Sequence, residues 1–251
     1  MTSPFKFTFI IGYRHRLDRI QNLRRVLDWV NGFAGVEIIL VEQDRHKRID
    51  ELNLKVTKHI FTQTEKPYNR SWAFNVGAKY ATTDVLVFSD TDLIMNPQHF
   101  IDGLNALTEY DCVSPYSKVI DLDPNETNTG LQNILTIDRP GRGETDNQKI
   151  NIAGGLVIFR KDAFFKIGGY PEEFVGWGGE DDATAIKIKK FLKWTELKNP
   201  IYHLWHERVS PEQNSYMRNL QILNQVTSLD DNGLVRWIEN SKQKMGLKNS
   251  H

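Results

Sequence analysis

Val85-Leu86-Val87-Phe88-Ser89-Asp90-Thr91-Asp92 is the stretch whose reading decides the fold. Its first five residues form the most apolar strand of the chain, and the strand delivers Asp90-Thr91-Asp92 at its carboxyl end. In open α/β sheets ligands bind beyond the carboxyl ends of the strands. An Asp-X-Asp alone is a weak signal, because many surface turns contain one. At a strand exit it becomes a candidate site, since two carboxylates can hold a divalent cation such as Mn²⁺ or Mg²⁺.

Upstream, Phe5–Gly12 reads as a buried first strand ending at glycine, followed by the loop Tyr13-Arg14-His15-Arg16. Leu17, Ile20, Leu23, Leu27 and Val30 recur at helical spacing and predict an amphipathic helix ending near Asn31-Gly32. Val36–Val41 predicts a second strand, leading to Glu42-Gln43-Asp44, and Val56–Phe61 a third. Strand, helix, strand implies a parallel pair with a right-handed crossover. Tyr68-Asn69-Arg70-Ser71 leads into a helix from Trp72 to Tyr80.

Downstream, a helix is expected from Pro97 to Leu107 and a strand near Cys112-Val113-Ser114. The polar segment Asp121–Asn151 reads as a mobile excursion beside the site. Ile152–Phe159 returns as a strand through Gly154-Gly155, and Arg160–Ile167 as a short helix. A helix over Thr184–Leu192 and a strand over Ile201–His206 follow. Ser210-Pro211-Glu212 reads as a helix start for Glu212–Val226. A last helix runs from Gly233 to Met245, and the charged tail Lys242–His251 is expected to fray. The expected architecture is α/β: a single Rossmann-like domain over 1–251, with a mostly parallel central sheet flanked by helices. Within it, 1–95 would bind nucleotide, 96–206 would carry acceptor and chemistry, and 207–251 would be C-terminal helices.

Composition bounds the function. The chain has 251 residues, 39% hydrophobic and 11% aromatic, enough for a substantial core. A formal net charge of +0 gives no reason to expect nucleic-acid binding. No run approaches the ~18 apolar residues of a membrane span, and no signal peptide is visible. Cys112 is the only cysteine, which suits a reducing compartment. The expected location is cytoplasmic, with peripheral attachment at a membrane left open.

The chemistry gathers in Gly176-Trp177-Gly178-Gly179-Glu180-Asp181-Asp182. Glycine permits close backbone approach to a ligand, and tryptophan offers a flat face for a sugar ring. Three consecutive carboxylates repel, so at least one pKa should rise unless a cation offsets them. If the chain is an enzyme that transfers a sugar with inversion, one acid must take the acceptor's proton. We assign Asp181 to that role, Glu180 to the donor sugar, and Trp177 with Asp182 to the acceptor. His203 and His206 offer imidazole to a metal. On a regular strand a spacing of three points them to opposite faces, so His206, at the strand exit, is favoured and His203 held in reserve. Arg14, Arg16 and Arg70 follow strand ends and suit phosphates. Tyr13 or Tyr68 would stack on a base, and Gln43 or Asp44 would touch base or ribose.

These blocks resemble the β-1,4-galactosyltransferase family, whose C-terminal module is similar to parts of the polypeptide N-acetylgalactosaminyltransferases and bacterial chondroitin polymerases. The resemblance rests on Gly12–Arg16, Val41–Gln43, Asn69–Gly77, Phe88–Ile94, Gly154-Gly155 and Trp177–Asp182, in order over about residues 5 to 215. It implies a GT-A fold, a UDP-sugar donor, a glycan acceptor and Mn²⁺, with Mg²⁺ as the alternative. It further implies an inverting reaction with Asp181 as base, and Asp92 with His206 on the metal. Gly12, Tyr13, Arg14, Arg16, Gln43, Arg70, Asp90, Thr91, Asp92 and Gly155 fall at nucleotide-sugar positions. Gly12 stands where the family has proline, Ala183 replaces a third aspartate, and His203-Leu204-Trp205-His206 replaces a Met-X-X-His element. Donor choice among galactose, glucose and their N-acetylamino forms stays open. So do a retaining reaction and a non-catalytic binding role.

Overall fold

Apolar strands and amphipathic helices alternate through the first half of the chain, and they assemble as that alternation requires. The computed structural model describes residues 5–144, 150–207 and 212–247. The first half runs β1 (Phe7–Tyr13), α1 (Ile20–Val30), β2 (Val36–Asp44), α2 (Ile49–Leu52), β3 (Lys58–Gln63), α3 (Arg70–Tyr80), β4 (Val85–Ser89), β5 (Leu93–Ile94) and α4 (Pro97–Ala106). The second runs β6 (Cys112–Ser114), β7 (Lys118–Asp121), α5 (Pro124–Thr127), α6 (Leu131–Ile134), β8 (Leu156–Arg160), α7 (Lys161–Lys166) and α8 (Glu180–Phe191). It closes with β9 (Trp194–Glu196), β10 (Pro200–His203), α9 (Gln213–Thr227) and α10 (Asp231–Lys244).

The central sheet has the order β3-β2-β1-β4-β8-β6-β9. β3, β2, β1 and β4 pair in parallel, while β8 is antiparallel to β4 and β6. After β1 the chain moves outward through β2 and β3, then returns to the other side of β1 as β4. The strand order therefore reverses between β1 and β4, and in open α/β sheets that is where a crevice forms at the carboxyl ends. Gly12 and Asp90 lie at those ends. A second sheet, β5-β10-β7, brings Leu93 beside His203 and His203 beside Asp121.

Side chains from β1 fill both faces of the central sheet. Phe7, Phe9 and Ile11 join Trp29, Phe33 and Phe100 on one side. Ile10 joins Phe74, Phe88, Phe164 and Tyr170 on the other. Phe88 stands 5.1 Å from Phe74 and 4.7 Å from Phe164, measured between ring centroids. Among the described residues no helix is long and apolar enough to cross a membrane.

Several expectations need correction. α1 starts at Ile20 and leaves Leu17 83% exposed, so Leu17 takes no part in the amphipathic face. The polar segment is not an open excursion throughout. Asp123 makes a capping box with Glu126, and Arg139 pairs with Glu126 to hold α5 and α6 in place. Gly154 and Gly155 precede β8, because Gly155 sits at φ +66°, outside strand geometry. α8 begins at Glu180, so all three acids belong to its first turn. β10 ends at His203, three residues short of the expected strand end. α10 extends through Lys242 to Lys244, where the tail was expected to fray. Ser210 and Pro211, expected to start α9, and residues 248–251 of the tail lie outside the described residues. The sequence reading missed β7 and β9, which are only four and three residues long.

Lys187 is a cation inside this core. It is fully buried on α8, donates to the Gly169 carbonyl and lies 5.1 Å over the Trp237 ring. Burial pushes its pKa down to about 7, with the Glu173 charge opposing. A depressed folded pKa adds stability above the unfolded value, and that contribution is lost as pH falls through the folded one. Replacement by methionine removes this dependence. Thermal melts of wild type and Lys187→Met should therefore diverge as pH drops from about 10 toward 7, with wild type losing ground.

Candidate active site

Arg70 opens α3 beside the crevice, and its position is fixed from the backbone outward. Asn69 caps the helix by accepting the Trp72 N–H at 2.9 Å and donates to the Glu172 carbonyl at 2.8 Å. Gln43 grips the Asn69 backbone on both sides: Nε2 donates to its carbonyl at 2.6 Å, and Oε1 accepts its N–H at 3.1 Å. The guanidinium then lies 4.5 Å from the Phe74 ring centroid and 5.7 Å from that of Tyr170.

From this seat Arg70 joins the two acidic motifs. Nε donates to Asp90 Oδ1 at 2.7 Å and Nη1 to Asp181 Oδ1 at 2.6 Å, with Glu180 Oε1 at 4.0 Å. The carboxylates come from the end of β4 and the start of α8, 91 residues apart by number. Burial pushes the Asp181 pKa up to about 8, and the neighbouring Glu180 and Asp90 charges add to it while Arg70 opposes. Glu180 is raised as well, again chiefly by burial. The expected rise is present, but desolvation leads and repulsion follows. Asp181 keeps 30% of its side chain exposed, so a ligand can reach it despite the crowding. Arg70 Nη2 and Glu180 Oε2 are buried without a hydrogen-bond partner. Buried polar groups rarely go unpaired, so this pair marks where a ligand's hydroxyls can bond. Asp182 is exposed and accepts from Asn151 Nδ2 at 2.8 Å.

Asp92 belongs to a second cluster. It is 3% exposed, and burial raises its pKa, with His203, Arg19 and His206 opposing. His203 Nε2 is 3.8 Å from its Oδ1, and His206 Nε2 is 3.4 Å from its Oδ2. The two imidazoles therefore meet, 5.2 Å between centroids, where a regular strand would have separated them. The reason is the early end of β10. Leu204 N–H bonds the Asp92 carbonyl at 2.8 Å and Trp205 N–H bonds Thr127 Oγ1 at 2.7 Å, so the chain turns and carries His206 back.

His203 Nδ1 is 2.8 Å from Asp121 Oδ1, and His206 Nδ1 is 3.0 Å from the Glu207 carbonyl. Both contacts favour the tautomer that leaves Nε2 free as a ligand atom. Asp121 is held well below the usual carboxylate range by the His203 and Arg142 bonds. Ligand atoms of Asp92, His203 and His206 lie within 4.8 Å of one another. One carboxylate and two imidazoles suit Mn²⁺, so the residues fit the cation that the resemblance implies.

The other expected site residues are placed as follows. Tyr13 is 2% exposed in the core, its hydroxyl 2.9 Å from His15 Nδ1, so it cannot stack on a base. Tyr68 is half-buried and packs on Gly12, where a Cβ would lie 2.1 Å from its hydroxyl oxygen. That contact explains glycine where the family has proline. Arg14 donates to the Gln43 and Lys66 carbonyls, both at 2.7 Å. Arg16 pairs with Asp18 at 2.7 Å. Asp44 accepts the His15 N–H at 3.0 Å. Thr91 is buried between the two aspartates, and the Gly155 carbonyl accepts the Asp90 N–H at 3.2 Å.

Trp177 is 63% exposed on a turn through Gly176, Gly178 and Gly179, all at positive φ. Asn219 of α9 donates to the Val175 and Trp177 carbonyls at 3.1 and 3.2 Å, and Tyr216 stands 5.5 Å from the Trp177 ring. Arg19, Asp121, Tyr216 and Asn219 were not singled out in the sequence. Only Arg19 carried a signal, as one more arginine near the first strand exit.

The model described as Glycosyl transferase family 2 matches residues 14–168, more than half of the chain. That described as N-terminal domain of galactosyltransferase matches 144–205. β-1,4-Galactosyltransferase 1 of Bos taurus is 26% identical over 185 residues, covering 72% of this chain and 35% of its own length. The chain thus spans about a third of that relative. A Drosophila β1,4-galactosyltransferase 7 mutant, solved with manganese, UDP-Gal and xylobiose, aligns at TM-score 0.51 and 18% identity, covering 92% of this chain and 83% of that one. TarS 1–349 of S. aureus, solved with UDP-GlcNAc, aligns at 0.59 and 14% identity, covering 94% and 71%. These likenesses bear out the expected GT-A fold and the family resemblance.

Removing the guanidinium would leave Asp90, Glu180 and Asp181 facing one another without a cation. Arg70→Met should cost about 3 kcal/mol of folding stability at pH 9, above the Asp181 pKa of about 8, where the carboxyls are ionised. Urea denaturation at pH 9 and pH 6 checks this, with the deficit shrinking at the lower pH as the carboxyls take up protons.

Proposed function

Because the chain belongs to glycosyl transferase family 2, we propose that it is a metal-dependent, inverting glycosyltransferase. It moves a hexose or N-acetylhexosamine from a UDP-sugar to a hydroxyl of a glycan acceptor. The observation that carries this reading is the Arg70 bridge from Asp90 to Asp181, at 2.7 and 2.6 Å. It sets a base on the α8 side against the nucleotide side of the crevice, where a sugar diphosphate would lie.

The acceptor hydroxyl attacks the anomeric carbon as Asp181 removes its proton. The new C–O bond forms on one face while the bond to the diphosphate breaks on the other, so the configuration inverts. Glu180 Oε2 and Arg70 Nη2, both without protein partners, hold donor hydroxyls. Asp182 and Trp177 hold the acceptor. Asp92, His203 and His206 would bind a divalent cation, which neutralises charge on the departing diphosphate. Cys112 is buried and unpaired, which supports action in a reducing compartment such as the cytoplasm.

Release of UDP should be measured across UDP-sugars with and without Mn²⁺, with water as the default acceptor. Metal-dependent release from one sugar is expected; absence of both release and UDP binding would overturn the donor class. Product anomeric configuration separates inversion from retention.

Asp181→Asn should lower turnover ~10²- to 10⁴-fold while leaving UDP binding intact. Asp181 must be ionised to act, so wild-type turnover should rise with pH through about 8. A pH–rate profile without that limb would remove Asp181 from the role of base.

A further inference from the structure

Arg19 lies at the start of α1, and its side chain enters the Asp92 cluster. Nη1 is 3.3 Å from Asp92 Oδ2, and Nη2 is 3.2 Å from each ring nitrogen of His206. Nε is buried with no partner. The base of the side chain cannot drift, because Asn22, one turn on, donates to the Trp205 carbonyl at 2.9 Å and ties α1 to the His203–His206 turn.

Arg19 thus faces Asp92 Oδ2 and His206 Nε2, two atoms that could ligate a divalent cation. Guanidinium does not lose its proton in proteins, so its charge persists beside the ligands. A second cation on those atoms meets like-charge repulsion at a few ångströms in a partly buried place. The side chain is 30% exposed, so it has room to leave. A diphosphate offers oxygens that match its fork.

We propose that Arg19 makes cation binding depend on a bound nucleoside diphosphate. In the free protein its guanidinium neutralises Asp92 and occupies the cation's side of the ligand set. When a diphosphate arrives, the guanidinium moves to a phosphate oxygen and frees Asp92 Oδ2 and His206 Nε2. The inference rests on the nucleotide-sugar reading above.

The test is direct binding of Mn²⁺, followed by the EPR signal of the free ion, to wild type and Arg19→Ala, with and without UDP. Wild type should bind Mn²⁺ at least ~10-fold more tightly with UDP than without. Arg19→Ala should bind Mn²⁺ alone ~10-fold more tightly than wild type and show a smaller UDP effect. Arg19→Gln, which keeps much of the side-chain stem, should behave as alanine does and serves if the alanine variant fails to fold. Unchanged or weaker Mn²⁺ binding by folded variants in the absence of UDP overturns the role of Arg19. That outcome leaves the nucleotide-sugar reading standing if wild type still binds UDP. Failure of wild type to bind UDP with or without Mn²⁺ overturns both.

Discussion

The contact on which the site depends is the Arg70 guanidinium held between Asp90 and Asp181. Like charges from separate elements do not converge in a partly buried space without a cation. Here the cation is a residue of the chain, and its stem is packed before its charge is used. Phe74 and Tyr170 floor the guanidinium, while Gln43 and Asn69 fix the helix start that carries it. Phe74 and Asn69 belong to α3 itself, while Gln43 comes from β2 and Tyr170 from the chain after α7, so the seat is completed by the assembled fold. The buried atoms left unpaired, Nη2 and Oε2, are the polar capacity that the protein itself does not consume.

Two centres share one strand exit. Residues two apart on a regular strand point to the same face. Asp90 and Asp92 do not share a partner, because β4 ends at Ser89 and the chain turns between them. Asp90 reaches α3, and Asp92 reaches the small β5-β10-β7 sheet. That small sheet is what assembles Asp92, His203 and Asp121, through the pairings His203 with Leu93 and His203 with Asp121. The Asp90–Asp181 centre and the Asp92 centre are thereby kept apart, each with its own counter-charge. Arg70 serves the first and Arg19 the second.

How much of this was legible follows from the range of each interaction. β4, its acids and the flanking helices were readable because apolar runs and helical spacing are local signals. The Glu180–Asp182 run was readable as chemistry because its neighbours are glycine and tryptophan. What no local pattern encodes is partner choice across 111 residues, as in Arg70 with Asp181, or 187, as in Arg19 with His206. The histidine pair misled for the opposite reason. A period-two argument is sound on a strand, but the strand ends at His203, where hydrogen bonds from Leu204 and Trp205 redirect the chain. Tyr13 misled because the loop it was assigned to is still β1, and its ring faces the core.

The exposed aromatic surface has a different origin from the charged centre. Trp177 sits on a glycine turn that cannot hold its own shape, since Gly176, Gly178 and Gly179 are conformationally free. Its order comes from α9, through two Asn219 bonds and the Tyr216 ring, and from the Gly176 N–H bonded to the Tyr68 carbonyl at 2.9 Å. α9 lies beyond the residues matched by either family model, which end at 205. On the proposed reading, the face offered to the acceptor is therefore set by a helix outside the residues that the two family models match. Substitutions on α9 can reshape that face while Arg70, Asp181 and the Asp92 cluster keep their partners. On that reading the aromatic face and the acidic centre can change independently, because the two are stabilised by different contacts.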